Sequence, residues 1–254
     1  MKEKNLKKSE TARSILFWIF LTIGGVIMIF PFFWIISTAL KPNYEVMTHP
    51  PMLLPRHPQL DCFVSLFTND LFIRILFNSF YFATASVVGV IFICSLAAFA
   101  FAVYEFHGRN IFFLLAISTM VIPIQTIMIP LFILLRNFHW IDTLHGAIIP
   151  MLPSTFSMFL IRQYMLTIPR ELIDAARIDG CSEFGIYCKI MFPLSRPILV
   201  IVAITIFMWR WNELLWPLIV LNSTEKYTIQ IFLQTSVGQY FTNSYRHGRD
   251  LSLI

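Results

Sequence analysis

The segment 169–193 combines acids, small side chains, glycine and prolines in an order that predicts helices able to bind another protein. Pro169 suits the first turn of a helix, Glu171 places an acid where the helix dipole favours it, and Gly180 fits a left-handed cap. A short helix presented in this way can lie in a groove of a partner. An ordinary solvated loop remains the alternative on these residues alone.

A second short helix is expected directly after Gly180. Ser182 can cap it, Glu183 lies in its first turn, and Pro193 and Pro197 are expected to end it. The whole stretch 162–196 is polar, which predicts a loop outside the membrane that contains both helices.

Two adjacent alanines mark the first of these helices. Ala175 and Ala176, which follow Asp174, have minimal side chains, so another surface can approach the helix closely. The sequence therefore predicts a docking face around these residues.

Two charges stand inside an otherwise apolar stretch near residue 210. Arg210 and Glu213 are three residues apart, so a helix brings them onto one face, with Trp211 and Asn212 between them. Charges inside a membrane span usually face the bundle interior or water. A structural ion pair and the lining of a solute pathway both fit these residues.

Other site chemistry has no support in the sequence. The six histidines show no metal-ligand spacing, and Cys62, Cys94, Cys181 and Cys188 are not paired as in zinc sites. No Gly-x4-Gly-Lys-Ser/Thr motif is present, so the chain itself is not expected to bind ATP. We expect no catalytic residue, no metal and no cofactor.

The composition indicates that the candidate site residues belong to a membrane protein. Of 254 residues, 57% are hydrophobic and 13% are charged, against about 25% charged in soluble domains. Long stretches without charge are typical of transmembrane helices. The net charge of +5 is not arranged as a basic stripe, which argues against nucleic-acid binding.

The hydrophobic pattern predicts an all-α, polytopic transmembrane bundle with five spans. Their predicted bounds are 15–40, 75–104, 111–135, 146–161 and 197–221. Prolines in the third and fourth spans predict breaks, which neighbouring helices or water can satisfy. The proline-rich segment 41–70 is not expected to span.

The distribution of lysine and arginine predicts the orientation. With the N-terminus inside, the inner segments carry eleven of these residues and the first two outer loops carry four. The positive-inside rule then places segment 1–14 and the loop 162–196 in the cytoplasm of a cell-membrane protein.

The loop has the spacing of a known motif. Asp174-Ala175-Ala176, three residues, Gly180, nine residues, Ile190, one residue and Phe192-Pro193 resembles the EAA loop of ABC importer permeases. Asp174 stands for the motif's glutamate and Phe192 for its leucine. The chain is most similar to the second permease subunit of maltose-type carbohydrate importers. Weaker matching pieces occur in order at 37–42, 78–79, 97–100, 106–109, 211–213 and 216–219.

The resemblance implies a transport subunit without enzymatic activity. Such a permease pairs with a second permease subunit, and each docks a coupling helix onto one of two ATPase subunits, while an extracellular solute-binding protein delivers the sugar. The resemblance assigns the coupling to residues of the loop: Glu171, Asp174, Ala175, Ala176, Gly180, Ile190 and Pro193.

The C-terminal part departs from the family pattern, which has a sixth span. The permease domain is expected over 15–221, with the coupling loop 162–196 inside it, and 222–254 is expected to be a truncated or altered segment. The residues from Ser244 onward do not look like the family. A shortened or frameshifted product is the hypothesis.

One alternative belongs to a different class of protein. An ATPase-independent secondary carrier or a membrane scaffold would share the composition and the spans. The spacing of the loop argues against it, and co-purification with an ATPase would decide. The solute is not specified by the sequence.

Overall fold

The computed structural model describes residues 2–46, 48 and 50–236, and this part of the chain is helical without strands. It divides into two compact units, 1–70 and 71–254. The α-helices are α1 (Lys2–Ala39), α2 (Asn43–Val46), α3 (Asp61–Phe67), α4 (Asp70–Val103), α5 (Arg109–Ser118), α6 (Ile124–Asn137), α7 (Leu144–Ile148), α8 (Thr155–Met165), α9 (Arg170–Ile178), α10 (Glu183–Ile186), α11 (Phe192–Leu194), α12 (Arg196–Trp211) and α13 (Leu215–Val220). Shorter 3₁₀ turns cover Thr119–Val121, Ile149–Met151 and Thr224–Lys226, and residues 229–236 are helical.

The first unit consists of α1 and a folded segment after it. The helix continues without interruption across the predicted border at residue 15, and its part Arg13–Ala39 is long and apolar enough to cross a membrane. Beyond it the chain folds back, with Lys41 Nζ donating to Met52 O and the Gln59 amide donating to Leu40 O at 2.9 Å. The prediction that 41–70 contains no spanning helix is confirmed for its described residues, which hold the short helices α2 and α3 and only the first residue of α4.

In the second unit, α4 is a second helix that is long and apolar enough to span. Three bent helix pairs pass the same test of length and composition: 109–137 with a bend of 99°, 144–165 with 47°, and 183–211 with 76°. Counting each pair as one span gives up to five, the number predicted from the sequence, although the third pair begins at Glu183 in the loop 162–196 and ends at Trp211, before the predicted end of the fifth span.

Prolines cause the breaks in the third and fourth spans. Pro123 caps the start of α6 in an extended conformation, and Ile122 before it is also extended, as the residue before proline prefers. In the fourth span, 152–154 are not helical, and Ser154 caps α8 by accepting the Ser157 amide at 3.2 Å. The predicted bounds 111–135 and 146–161 were too narrow by a few residues at each end.

The fifth span differs from its prediction, which ran without a break from 197 to 221. Helix α12 ends at Trp211, residues 212–214 are not helical, and α13 begins at Leu215. Pro217 explains the break, because a proline ring in a helix clashes with the carbonyl four residues earlier, here that of Glu213.

The prediction of an altered end from Ser244 concerns residues outside the described part of the chain.

Two apolar clusters hold the second unit together. The loop-side cluster joins α4, α8, α9 and α12 through residues such as Phe99, Ile161, Ile173 and Val202. The far cluster joins the other part of α4 to α6, α7 and α13 around the buried Trp216, whose Nε1 donates to Ala147 O at 2.9 Å. The loop and the break after α12 are thus supported by different cores.

Candidate functional site

Gly180 forms the turn between the two helices of the loop 162–196. Its φ is +75°, so the predicted left-handed cap is confirmed. The Cys181 amide donates to Ala176 O at 2.9 Å and the Gly180 amide donates to Arg177 O at 3.0 Å, which is the Schellman arrangement. This geometry fixes the direction in which the second helix leaves.

The second helix begins and ends as predicted. Ser182 caps it by accepting the Gly185 amide at 3.2 Å. The helical path then continues through a π turn, Tyr187–Met191, and through Pro193 to Leu194. As expected from Pro193 and Pro197, the helix ends between them, at Leu194, although Pro193 itself still lies inside it. The bend of 76° follows at Ser195, and Pro197 lies in the first turn of α12, where a missing amide proton has no cost.

The first helix, α9, has one face against the chain and one face open. Ile173 and Ala176 are buried in the loop-side cluster. On the other side lies an exposed apolar stripe of Leu172, Ala175 and Ile178, and the side chain of Ile178 is 87% exposed. The expectation that both alanines face a partner is therefore corrected for Ala176, whose methyl group packs within the chain.

Ion pairs surround this exposed stripe. Arg177 holds Glu183 with two contacts, Nε to Oε1 at 2.8 Å and Nη2 to Oε2 at 3.2 Å, and these hydrogen bonds raise the pKa of Arg177. Arg170 donates to Glu105 at 2.9 Å, and this bond lowers the pKa of the Glu105 carboxyl. The turn containing Glu105 is thus tied to the start of α9.

Residues that the sequence did not single out anchor the loop to α4. The Tyr187 hydroxyl lies 2.7 Å from Ser95 Oγ, and both residues are buried. Arg162 is also buried, with its Nε donating to Phe101 O at 3.1 Å and its guanidinium 3.9 Å from the Phe113 ring centroid. The partners are far apart in sequence, so no local signal could have identified them.

The break after α12 contains the second predicted group. Arg210 Nη1 lies 3.6 Å from Glu213 Oε2, and Arg210 Nη2 donates to Met151 O at 2.8 Å. This distance makes an ion pair, which was one of the two alternatives from the sequence. Both side chains are mostly buried. Asn212 is exposed, and Trp211 stacks on Phe207 with centroids 5.8 Å apart.

At the opposite end of α4 from the loop, a polar network holds the segment after α13. The Asn78 amide group donates to Glu225 O at 2.8 Å and to Tyr227 O at 3.2 Å. Ser79 Oγ accepts the Ile229 amide at 2.6 Å. Asp142 joins the same segment: burial opposes ionisation, but Ser223 and Lys226 hydrogen bonds still hold the pKa of its carboxyl well below the usual range.

The predicted site residues thus form two groups. The structure brings Glu171, Asp174, Ala175, Ala176, Gly180, Ile190 and Pro193 together in the two-helix loop, and Arg210, Trp211, Asn212 and Glu213 at the end of α12. The two groups lie at opposite ends of α12.

Comparison with known proteins gives a family for this arrangement. Residues 91–245 match the family described as binding-protein-dependent transport system inner membrane component. The chain is 39% identical to an arabinooligosaccharides transport system permease protein of Halalkalibacterium halodurans, over 90% of this chain and 84% of that protein. It is 31% identical to the sn-glycerol-3-phosphate transport system permease protein of Escherichia coli, over 92% of this chain and 87% of that protein.

A solved structure has the same fold. A chain of a bacterial ABC transporter involved in the import of the acidic polysaccharide alginate matches with a TM-score of 0.81 and 25% sequence identity. The match covers 89% of this chain and 80% of that one.

Proposed function

Because the chain belongs to the family of binding-protein-dependent transport system inner membrane components, we propose that it is the membrane-spanning subunit of an ATP-driven importer for a sugar. The observation that carries this proposal is the loop 162–196, in which a left-handed Gly180 sets two helices beside an exposed apolar stripe. The relatives named for arabinooligosaccharides and for sn-glycerol 3-phosphate support a polyhydroxylated solute.

The stripe on α9 is the contact with the ATPase partner. Leu172, Ala175 and Ile178 present apolar surface to the solvent, flanked by the acids Glu171 and Asp174. A short amphipathic helix with such a face binds in a groove of another protein. Membership of the family supports the full set of partners: a second permease subunit, two ATPase subunits that hydrolyse the ATP, and an extracellular binding protein that delivers the solute.

The loop and the N-terminus lie on the cytoplasmic side of the membrane. The support is the excess of lysine and arginine in these segments over the first two outer loops. On this side the loop meets ATPase subunits that draw on cytoplasmic ATP.

The transmitted movement reaches the solute pathway through α12. This helix joins the loop at Arg196 to the break at 212–214, and Arg210 ties the break to the fourth span at Met151. Closure of the ATPases would move the helices as bodies around a site near the broken spans, as transporters of alternating access do.

A charge placed on the exposed stripe tests the docking. Ile178→Glu puts a carboxylate into the proposed contact without disturbing a buried residue, so we expect loss of the ATPase subunits during purification of the importer from membranes. Phe106→Glu is the matched control, since Phe106 is an exposed apolar residue of the neighbouring 104–108 turn.

The outcomes separate the two classes of protein. Retention of the ATPase in the control and its loss in Ile178→Glu supports the coupling assignment. Equal retention in both variants contradicts it. A wild-type chain that co-purifies with no ATPase subunit would instead support an ATPase-independent carrier.

A further inference from the structure

We propose that Trp209, Asn212 and Glu213, at the end of α12, contact the solute directly and select a neutral, hydroxyl-rich ligand over a phosphorylated one. The inference rests on the proposed function, because only a chain that lines a solute pathway has a use for such a surface. It names the class of solute that the relatives leave open.

The depth of this surface is the first argument. Helix α12 has 16 residues and is therefore about 24 Å long, less than the roughly 30 Å of the hydrocarbon layer. Together α12 and α13 cover the predicted fifth span 197–221, so the break at 212–214 falls within that span and not at its end. Asn212 is exposed there, and polar side chains at such depth face water, a ligand or another protein.

An aromatic ring borders the polar residues. Trp209 is half exposed, and its ring is held by Phe156, with centroids 5.5 Å apart and planes at 42°. Together with Met208, Leu214 and Leu215, these residues line one open depression at the helix end. Ligand sites combine apolar and aromatic walls with a small number of placed polar groups, which is the composition found here.

The polar groups on this surface accept hydrogen bonds. The Asn212 amide nitrogen donates one of its two protons to Met208 O at 2.8 Å, which leaves the amide oxygen and the second proton for a ligand. Glu213 offers a carboxylate, which only accepts. Sugar hydroxyls donate to such acceptors, whereas phosphate oxygens do not.

The charge of the surface is already balanced. Arg210, the cation at this position, is mostly buried: its Nη atoms contact Glu213 and Met151 O, and its buried Nε has no partner among the described residues. A phosphate group is bound through charge-assisted hydrogen bonds from a cation that is free to make them. The Glu213 carboxylate would also repel it, so the surface favours a neutral solute.

The test uses the complete importer, purified with its partner permease and ATPase subunits in lipid nanodiscs. Saturation-transfer-difference NMR measures weak binding of arabinotriose and maltotriose as neutral probes and of sn-glycerol 3-phosphate as the charged probe. We expect a neutral probe to bind more tightly than the phosphate. Trp209→Leu and Asn212→Leu should each weaken neutral binding by about tenfold, as loss of one specific contact does. Trp18→Leu, which changes an exposed tryptophan of α1, is the matched control and should bind as the wild type does.

A second variant tests the charge argument. Glu213→Gln keeps a hydrogen-bonding side chain but leaves the Arg210 guanidinium without its carboxylate partner. The ratio of phosphate to sugar affinity should therefore rise by about tenfold, because a cation becomes available to the anion.

Three results would overturn the inference. They are wild-type binding of the phosphate as tight as that of the neutral probes, no binding of either neutral probe, and unchanged neutral binding in Trp209→Leu and Asn212→Leu. ATP hydrolysis by the same preparation separates this failure from that of the proposed function. An importer that assembles and hydrolyses ATP yet gives one of these results refutes only the solute contact.

Discussion

The loop 162–196 and the break after α12 each contain one arginine–glutamate pair, and the two pairs differ in distance and in exposure to water. In the loop, Arg177 Nε lies 2.8 Å from Glu183 Oε1, and the side chains are 39% and 43% exposed. At the break, Arg210 Nη1 lies 3.6 Å from Glu213 Oε2, and the side chains are 13% and 27% exposed. The pair with the shorter distance is thus the one in contact with water.

Burial should decide which pair matters more for stability. Water screens the attraction in an exposed pair, and holding two long side chains together costs entropy. Removing one partner of a buried pair leaves the other charge uncompensated. Arg210 also donates to Met151 O, so its removal breaks a link between two spans. We therefore expect the longer pair to contribute more to the stability of the fold.

The largest effect should come from Arg210→Leu. The substitution leaves Glu213 without a cation and Met151 O without its donor, so we expect the free energy of unfolding to fall by about 2–4 kcal/mol. Unfolding of the purified chain in mixed detergent micelles measures it. The double variant Arg210→Leu/Glu213→Leu is the control and should recover most of the loss, because no charge remains. A loss below about 1 kcal/mol in the single variant would mean that this pair behaves as a surface pair.

The next effect concerns the backbone of the loop and not its charges. A Cβ at Gly180 would meet no atom within 4 Å, so Gly180→Val costs only the strain of a β-branched residue at positive φ, about 1–3 kcal/mol. Hydrogen exchange of the Cys181 amide, which donates to Ala176 O, should become faster. Gly180→Asn tolerates the left-handed region and should change this exchange much less. Equal protection in the valine and asparagine variants would show that the cap does not hold the loop.

The smallest effect should come from Arg177→Gln. Its pair with Glu183 is exposed, so we expect a loss of less than about 1 kcal/mol that shrinks further as salt is raised. The same unfolding measurement at low and high salt checks it, with Arg170→Gln as a second exposed pair for reference. If Arg177→Gln proved more damaging than Arg210→Leu, the proposed ranking by burial would be wrong.

The loop was predictable because its geometry is set by nearby residues. Gly180, Ser182 and the position of Glu171 follow local rules of helix ends, and each lies where those rules place it. Sequence reasoning missed the π turn Tyr187–Met191, after which the helix passes through Pro193 and ends at Leu194. A proline alone does not tell whether a helix ends or changes its hydrogen bonding.

The break was only half predictable. The spacing of Arg210 and Glu213 indicated their pairing, which the structure contains. The end of α12 at Trp211 was missed, although Pro217 and its clash with the carbonyl of Glu213 carried the signal. The bond from Arg210 to Met151 O joins residues 59 positions apart, and no local pattern encodes such a contact.

The two longest helices show a further limit of sequence reasoning. Both α1 and α4 are long and apolar enough to span, and within the second unit α4 buries one side. The buried side of α4 carries Ser79, Ser86 and Ser95, small polar residues that let neighbouring helices approach. Hydropathy indicates whether a helix can cross a membrane. Small residues on one side of the helix indicate where other helices pack against it.

The continuous course of α4 has a mechanical consequence. Its loop-side end is held by the Tyr187 hydroxyl at Ser95, and its far end is held by Asn78 and Ser79 to residues 225–229. Its 34 residues form an unbroken rod of about 50 Å, so a tilt of about 5° at one end displaces the other by about 4 Å. The helix can tilt as one body, because its two ends contact different segments of the chain. If the loop rotates during transport, as the proposed function requires, α4 would carry that rotation to its far end as a displacement of about 4 Å.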